Sequence, residues 1–363
     1  MARPIRIGIV GAGANTQSKH IPELLNIDGV KIVSVANRRP ESSERVARQF
    51  AIPAVYTAWE ELVRAPDSDA IVIGTWPYLH CAATLAALAA GKHVMCEARM
   101  AMNAGEARRM RDAALEHPEL VTQVVPSPFT LHVDNTVKRL VAEGYLGSVL
   151  AVEIHGKSGN FLDQDAPLHW RQDADLSGTN VMSLGIWYEA LMRWIGEATQ
   201  VQAQGKVFAK TRRDPETGIQ KTVRIPEHLI VTADMACGAQ ATFLLSQVTG
   251  GVNANEVLLF GSEATLRFSN GTLSGSRRAS EGFSEIPIPP EEAGTWRVEK
   301  EFIGAIRGTE RITHTTFEAG VKYMEFTDAV ARSITAERAI PLPGPPPEAS
   351  QNNGHAGDAG QRA

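Results

Sequence analysis

The sequence has few of the residues that mark disulfide-bonded, metal-binding or membrane-spanning proteins. Its 363 residues include three cysteines, Cys81, Cys96 and Cys237, and none are in C-x-x-C spacing. This pattern excludes a disulfide framework and a cysteine-based zinc site, so we expect no metal. No apolar run approaches the roughly 18 residues of a membrane helix, and only Met-Ala-Arg-Pro precedes the first apolar run. We therefore predict a soluble, cytoplasmic protein without a membrane partner.

Excess positive charge is also missing. The formal net charge is -5, with 36 basic and 41 acidic residues. Proteins that bind DNA or RNA usually carry a basic surface, so we do not expect nucleic acid as a partner. The expected partner is a small-molecule substrate. The chain is long enough for two domains of about 100 to 200 residues each.

A glycine-rich turn near the N-terminus is the strongest local signal. A buried strand runs into Gly11-x-Gly13 and Ala14, the candidate cofactor residues of the turn, and a helix follows near Thr16 to Leu25. Glycines there allow a tight turn and close approach of a pyrophosphate at the helix start. A second apolar strand, Lys31 to Ala36, completes the β-α-β unit that this motif requires. Threonine replaces the third glycine, which leaves a purely structural turn as the alternative to a dinucleotide site.

The periodicity of apolar residues divides the chain into three parts. Strands and helices alternate through residues 1–125, which predicts a doubly wound parallel sheet of the Rossmann type. Residues 126–340 combine helices with runs of period two, which predicts an α+β domain with a mostly antiparallel sheet. Residues 341–363 are rich in proline, glycine and small polar residues, so we expect a disordered tail.

Several strings together resemble the Gfo/Idh/MocA (glucose-fructose oxidoreductase / inositol dehydrogenase) family. They are GIVGAG at 8–13 with HIP at 20–22 after it, GTWPYLH at 74–80, GKHVMCE at 91–97 and GYLGS at 144–148. The resemblance implies a nicotinamide cofactor and hydride transfer to or from carbinol and carbonyl carbons of sugars, cyclitols and related small molecules. It also implies a homodimer or homotetramer built on the second-domain sheet.

The end of the second strand bears on the choice of cofactor. An NAD enzyme commonly has a carboxylate there for the ribose 2'-hydroxyl, but this chain has Asn37 followed by Arg38. An arginine can instead bind a 2'-phosphate through charge-assisted hydrogen bonds. We therefore favour NADP, with NAD possible; the alternative is that Arg38 is a solvated surface charge.

The remaining cofactor residues follow from the strand ends and from the resemblance. The resemblance implies that Pro77 and the flanking backbone at Thr75 and Trp76 shape the nicotinamide ribose pocket, and that Glu97 contacts the nicotinamide ribose. His80 follows in the same loop and helix, where it either orients the loop or contacts the cofactor.

Two departures from the family pattern affect the predicted chemistry. The family's lysine after the glutamate is replaced by Ala98, and Arg99 occupies the next position. Arginine cannot serve as the base, because its pKa stays above about 12. Arg99 could bind a carboxylate or a developing alkoxide, or it could form a structural ion pair.

The second departure replaces the family's aspartate and histidine with Ser183 and Trp187. A spacing of four places both on one helical face, so Trp187 could stack on a substrate ring, with Trp170 as a further substrate contact. The alternative is that Trp187 packs in the core.

Oxidation of an alcohol still needs a group that takes the hydroxyl proton. His155 and Lys157 differ by two positions on a predicted strand, so they share a face and are the preferred catalytic residues. Tyr188 is the next candidate. Each could instead be a surface or structural residue.

These residues together predict an NAD(P)-dependent oxidoreductase. One alternative is a nucleotide-binding regulator that has lost catalysis, which would bind the cofactor without turnover. Another is a non-redox lyase or hydrolase that retains a nicotinamide, which would convert substrate without net change in cofactor absorbance.

Overall fold

The first of two sheets is parallel and six-stranded. The computed structural model describes residues 3–343, and its first sheet has the order β3-β2-β1-β4-β5-β6. Every residue of the short strand β4 is buried, as expected for a parallel sheet covered on both faces. The strands are β1 (Ile5–Val10), β2 (Val30–Ala36), β3 (Ala54–Val55), β4 (Ala70–Ile73), β5 (His93–Cys96) and β6 (Thr122–Val124).

Helices connect these strands and confirm the predicted doubly wound fold. A π-helical segment, Thr16–His20, leads into the first of them. Proline at the start of α2 and of α4 suits the first helical position, where no backbone donor is needed. The helices are α1 (Ile21–Leu25), α2 (Pro40–Phe50), α3 (Trp59–Arg64), α4 (Pro77–Ala89) and α5 (Ala104–Glu116). Strand order reverses between β1 and β4, which places the ligand crevice at their carboxyl ends.

The second sheet has nine strands and is mostly antiparallel, as predicted. Its order is β16-β15-β14-β13-β7-β12-β11-β8-β17, and β7 and β12 form its parallel pair. A two-stranded hairpin of β9 and β10 stands apart from it. The strands are β7 (Val149–Lys157), β8 (Ala198–Lys206), β9 (Thr211–Arg213), β10 (Gln220–Thr222), β11 (His228–Met235), β12 (Gln240–Ser246), β13 (Ala254–Gly261), β14 (Ala264–Ser269), β15 (Thr272–Arg277), β16 (Ser284–Glu285) and β17 (Ile340–Pro341).

The helices that follow β6 are α6 (Leu131–Ala142), α7 (Ala174–Ser177), α8 (Leu184–Ile195), α9 (Val298–Ile306) and α10 (Phe317–Ala336). Of these, α8 and α10 pack on one face of the second sheet. Tyr188 of α8 stacks on Phe326 of α10, with ring centroids 3.7 Å apart, and Phe326 also packs on Phe243 of β12. Residues of α9 pack in the core of the first domain, because Phe302 joins the cluster that holds Ile7 of β1. The chain therefore returns to the first domain before α10.

Little of the predicted tail can be compared with the structure. Ile340 and Pro341 pair with β8, and Leu342 and Pro343 follow. Residues 344–363 lie outside the described residues, so the prediction of disorder stays a prediction there. No helix within residues 3–343 combines the length and the apolar composition that crossing a membrane requires.

Candidate active site

A cleft of about 540 Å³ lies at the carboxyl ends of β1, β2 and β4. This is the crevice that the strand order predicts for a dinucleotide. Tyr78 and Glu60 also line the cleft, and Glu60 contributes a carboxylate to its wall. Six of the predicted cofactor residues line the cleft: Gly11, Gly13, Asn37, Arg38, Thr75 and Trp76. Ala14 follows directly and is exposed.

Neighbouring residues fix the conformation of the glycine turn, which suits it to bind a dinucleotide. Gly11 has φ +84°, and a Cβ there would lie 2.3 Å from Cγ2 of Thr75, so no other residue is tolerated. The Asn37 side chain accepts a hydrogen bond from the Ala12 N–H at 2.6 Å and donates one to Ser42 at 3.0 Å. Asn37 therefore braces the turn from the end of β2.

Arg38 already contacts an anionic group. Its guanidinium pairs with the carboxylate of Glu216, which also lies 3.0 Å from Arg39. Glu216 comes from the loop between β9 and β10, 178 residues along the chain from Arg38. The Arg38 guanidinium lies over the Trp76 ring, 5.6 Å from its centroid. The two arginines can thus hold an anion at the edge of the cleft.

Glu97, at the end of β5, belongs to a buried ionic chain. His20 contacts Glu97 at 2.9 Å and Glu299 at 2.5 Å, and Asn15 donates a hydrogen bond to Glu97. Burial alone would lower the pKa of His20, but the hydrogen bonds to the two carboxylates raise it to about 9. Burial would raise the pKa of Glu97, yet the His20 and Asn15 contacts hold it below its usual range. Both groups are charged at neutral pH.

His20 was not among the predicted site residues. Its partner Glu299 lies 279 residues away, so the sequence gives no local signal for the pair. The only signal was the string His-Ile-Pro at 20–22, which carried part of the family resemblance without a role for the histidine.

A larger cavity, of about 1070 Å³, lies between the two sheets. It adjoins the cleft, because Gly13 lines the cleft and Asn15, two residues later, lines the cavity. Of the predicted residues, Glu97, Arg99 and Lys157 line it. Phe129, Met182 and Ile186 form an apolar part of its wall. Residues that were not assigned to the site also line it, among them Lys19, Phe129, His132, Arg171, Gln247 and Asn255.

Arg99 is buried in this wall, with only 5% of its surface exposed. Among residues 3–343, its Nε has no hydrogen-bond partner, and no carboxylate forms a salt bridge with its guanidinium. Its guanidinium lies over the Trp170 ring at 5.7 Å, and that of Arg171 lies over the same ring at 4.3 Å. Burial and the charge of Arg171 lower the pKa of Arg99 to about 10, so it remains a cation at neutral pH.

Two predicted catalytic residues lie away from the cavity. Alternate residues of β7 point into the core, and His155 lies between them on the uncovered face of the second sheet. Its ring there contacts the Glu153 carboxylate at 3.4 Å. Tyr188 is buried, its hydroxyl accepts a hydrogen bond from the Ala198 N–H at 2.8 Å, and burial raises its pKa well above the usual value. Lys157 ends β7 and does line the cavity.

The predicted aromatic contacts also differ from expectation. Trp187 is fully buried behind Phe129, with ring centroids 4.8 Å apart, so Phe129 faces the cavity in place of Trp187. Trp170 does not line the cavity; its ring stacks on Trp76, with centroids 5.8 Å apart. The Trp170 ring instead supports the guanidinium groups of Arg99 and Arg171. Burial of every face of α8 agrees with the alternative that Trp187 packs in the core.

Pro77 and His80 line neither cavity. Pro77 opens α4 and is buried. The His80 ring lies 2.9 Å from the Thr75 carbonyl and 3.0 Å from the Arg99 carbonyl, and burial lowers its pKa. His80 therefore ties the loop after β4 to the loop that carries Arg99, in line with the orienting alternative.

Comparisons with known proteins agree with this geometry. Residues 5–124 match the model described as an oxidoreductase family with an NAD-binding Rossmann fold, and residues 135–267 match a GFO/IDH/MocA C-terminal domain. Bovine trans-1,2-dihydrobenzene-1,2-diol dehydrogenase is 28% identical over 289 residues, 79% of this chain and 81% of that protein. Inositol 2-dehydrogenase of Agrobacterium fabrum is 37% identical over 123 residues, 33% of this chain and 36% of that protein.

A solved structure extends the likeness in fold to nearly the whole chain. Levoglucosan dehydrogenase, in complex with NADH and levoglucosan, superposes with a TM-score of 0.82 at 19% identity. The match covers 94% of this chain and 100% of that one. Together with the two domain models, it completes the assignment that the glycine turn and the two sheets support: the chain belongs to the GFO/IDH/MocA family of oxidoreductases.

Proposed function

We propose that the protein is an NADP-preferring dehydrogenase that interconverts a hydroxyl and a carbonyl group on a small sugar, cyclitol or cyclic diol. The observation that carries the proposal is the junction of the glycine-turn cleft with the cavity, between Gly13 and Asn15. The names of the relatives support the substrate class, since they are dehydrogenases of a cyclic diol, an inositol and an anhydrosugar.

The chain's own residues would hold the cofactor along this path. When bound, the nicotinamide supplies hydride transfer. Gly11 and Gly13 admit the pyrophosphate, and Glu97, kept ionised by His20, can accept hydrogen bonds from a ribose at the mouth of the cavity. The pairing of Glu97 with two neighbours also fixes its position before any ligand binds.

Arg38 supports the preference for NADP. The carboxylate of Glu216 occupies the place between Arg38 and Arg39 where a 2'-phosphate would make the same charge-assisted contacts. Glu60 is a carboxylate elsewhere in the cleft and would favour a free ribose hydroxyl. We give more weight to the two arginines, because both already hold an anion.

Lys157 is the proposed proton-transfer residue. It lines the cavity, and within the described part of the chain its ammonium group has no carboxylate partner. During oxidation the neutral amine of Lys157 would take the hydroxyl proton and become an ammonium group, and during reduction that ammonium group would return the proton.

A turnover assay with NADP and a panel of sugars, cyclitols and cyclic diols tests the proposal. We expect Lys157→Ala to lower kcat on the substrate found by about 10²- to 10⁴-fold, the usual contribution of general acid-base catalysis. Lys206→Ala, an exposed lysine of β8, is the matched control and should leave kcat unchanged. Full turnover in Lys157→Ala would rule out this base. Binding of neither NADPH nor NADH would rule out the function.

We also propose a homodimer or homotetramer. The uncovered face of the second sheet carries Ile230, Leu244, Leu258 and Phe260, none of which is fully buried. An apolar face of this kind is commonly covered by another subunit. Light scattering after size exclusion tests this, and Ile230→Lys should yield monomers.

A further inference from the structure

The cavity is much more basic than the protein as a whole. Lys19, Arg99, Lys157 and Arg171 line it, against a single carboxylate, Glu97. The net charge of the chain is -5, so this excess of cations is local. Glu97 is itself engaged by His20, whose pKa of about 9 keeps it protonated. None of the four cations lining the cavity has a carboxylate partner within residues 3–343.

Arg99 is the most informative of these cations. A buried guanidinium normally receives enough hydrogen bonds and opposite charge to offset its loss of water. Arg99 exposes only 5% of its surface, and its Nε has no hydrogen-bond partner among the described residues. Of the charged neighbours, Arg171 affects Arg99 most, and its positive charge lowers the pKa of Arg99 and disfavours the cation. Such an arrangement costs stability unless a ligand completes it.

The geometry of the wall specifies the kind of ligand. The planar guanidinium of Arg99 is suited to a carboxylate by paired hydrogen bonds, and Arg171 stands beside it on the shared Trp170 ring. Elsewhere in the wall, Phe129 exposes 40% of its surface, next to Met182 and Ile186. A flat or ring-shaped molecule can pack on that apolar part while its charged group meets the arginines.

From this we infer that the substrate is an acid: a hydroxylated ring or sugar whose carboxylate binds Arg99 and Arg171 in the cavity. The inference rests on the proposed function for the reaction, but it adds a subsite that the family match does not assign. Arg99 binds the acid and takes no part in proton transfer, since its guanidinium stays protonated. Neutral sugars and cyclitols that fit the same cavity leave both arginines without a partner.

The test is a comparison of paired acids and neutral compounds. Wild-type protein is titrated, with and without saturating NADPH, with D-glucuronate against D-glucose and with quinate against myo-inositol. Binding is followed by the shift in the thermal midpoint and by calorimetry. We expect at least one acid to bind about 10- to 150-fold more tightly than its neutral partner, as one charge-assisted hydrogen bond implies.

Variants separate a specific subsite from general attraction of anions. Arg99→Met should remove the preference for the acid, while Arg224→Gln, which alters an exposed arginine paired with Asp175, should retain it. Glucose 6-phosphate serves as the phosphate arm of the test. Tight binding of the phosphate without binding of either acid overturns the carboxylate assignment.

Two further outcomes overturn the inference. They are neutral compounds that bind as well as the acids, and acid binding that is unchanged in Arg99→Met. Binding of no acid at all, in a protein that binds NADPH, also overturns it and leaves the proposed function standing. Failure to bind NADPH, by contrast, overturns the proposed function, and acids can still be tested on the protein without cofactor.

Discussion

Two arginines of this protein are buried to a similar degree but lie in opposite surroundings. Arg212, on β9, exposes 2% of its surface, and Arg99 exposes 5%. The Arg212 side chain donates hydrogen bonds to the carbonyl groups of Phe161, Asp163 and Ala166 and lies 3.3 Å from the Glu227 carboxylate. Arg99 has the ring of Trp170 and a second arginine instead. The Nε of each lacks a partner, so the difference lies in the rest of the guanidinium.

The difference indicates what each cation does. Arg212 fixes the loop between β7 and α7, which brings Phe161 and His169 to the cavity wall. It therefore serves the fold. The charge of Arg99 contributes no pairing to the folded chain, so its charge is useful only when an anion enters. Paired cations and unpaired cations should respond differently to substitution.

The largest effect is expected at Arg212. Arg212→Met leaves Glu227 buried without its cation and frees three carbonyl groups, which should lower the free energy of unfolding by about 3 to 5 kcal/mol. Urea unfolding followed by circular dichroism measures this. A loss below about 1 kcal/mol would show that pairing does not matter at Arg212 and would remove the contrast with Arg99.

The next effect concerns His20, a paired cation beside the cavity. Its pKa is raised to about 9 from about 6.5, so its stabilisation is complete below pH 6.5 and is lost as the pH rises through 9. The free energy of unfolding should fall by up to about 3 kcal/mol across this interval. The wild-type protein and His20→Gln are compared by urea unfolding at several pH values, and the variant should lack this fall. An equal fall in both proteins would assign the pH dependence to other groups.

Arg38 is an exposed cation with an exchangeable partner, so its effect should appear in cofactor binding. Arg38→Ala should weaken NADPH binding by about 10- to 150-fold, or about 1.5 to 3 kcal/mol, and leave NADH binding unchanged. Fluorescence titration measures both. Glu216→Gln is the control, and it should tighten NADPH binding less than about 5-fold, because the carboxylate it removes belongs to an exposed pair. An equal loss of affinity for NADPH and NADH in Arg38→Ala would contradict a role of Arg38 in recognising the 2'-phosphate.

Local patterns of the sequence were sufficient to predict much of the fold. Alternating strands and helices predicted the parallel sheet, and period-two runs predicted the antiparallel one, since both periods are set by neighbouring residues. The weakest local signals were missed: the two-residue strand β3, the hairpin of β9 and β10, and β15 with its polar sequence.

The site could be predicted where strand ends determine it. Gly11, Arg38, Glu97 and Arg99 follow buried strands, and each lines a cavity. Contacts between distant segments could not be predicted, such as His20 with Glu299 or Arg38 with Glu216. Strand alternation placed His155 and Lys157 on one face, but it could not show that the cavity reaches only the end of β7.

The smallest expected change tests most directly whether Arg99 is kept for a ligand and not for the fold. Urea unfolding of Arg99→Met, without any ligand, is compared with the wild type. Because the substitution removes an unpaired buried charge and keeps an apolar side chain of similar length, we predict a free energy of unfolding equal to the wild type or about 1 kcal/mol higher. A loss of about 3 kcal/mol or more, like that expected for Arg212→Met, would show that Arg99 is structural and would contradict the anion subsite.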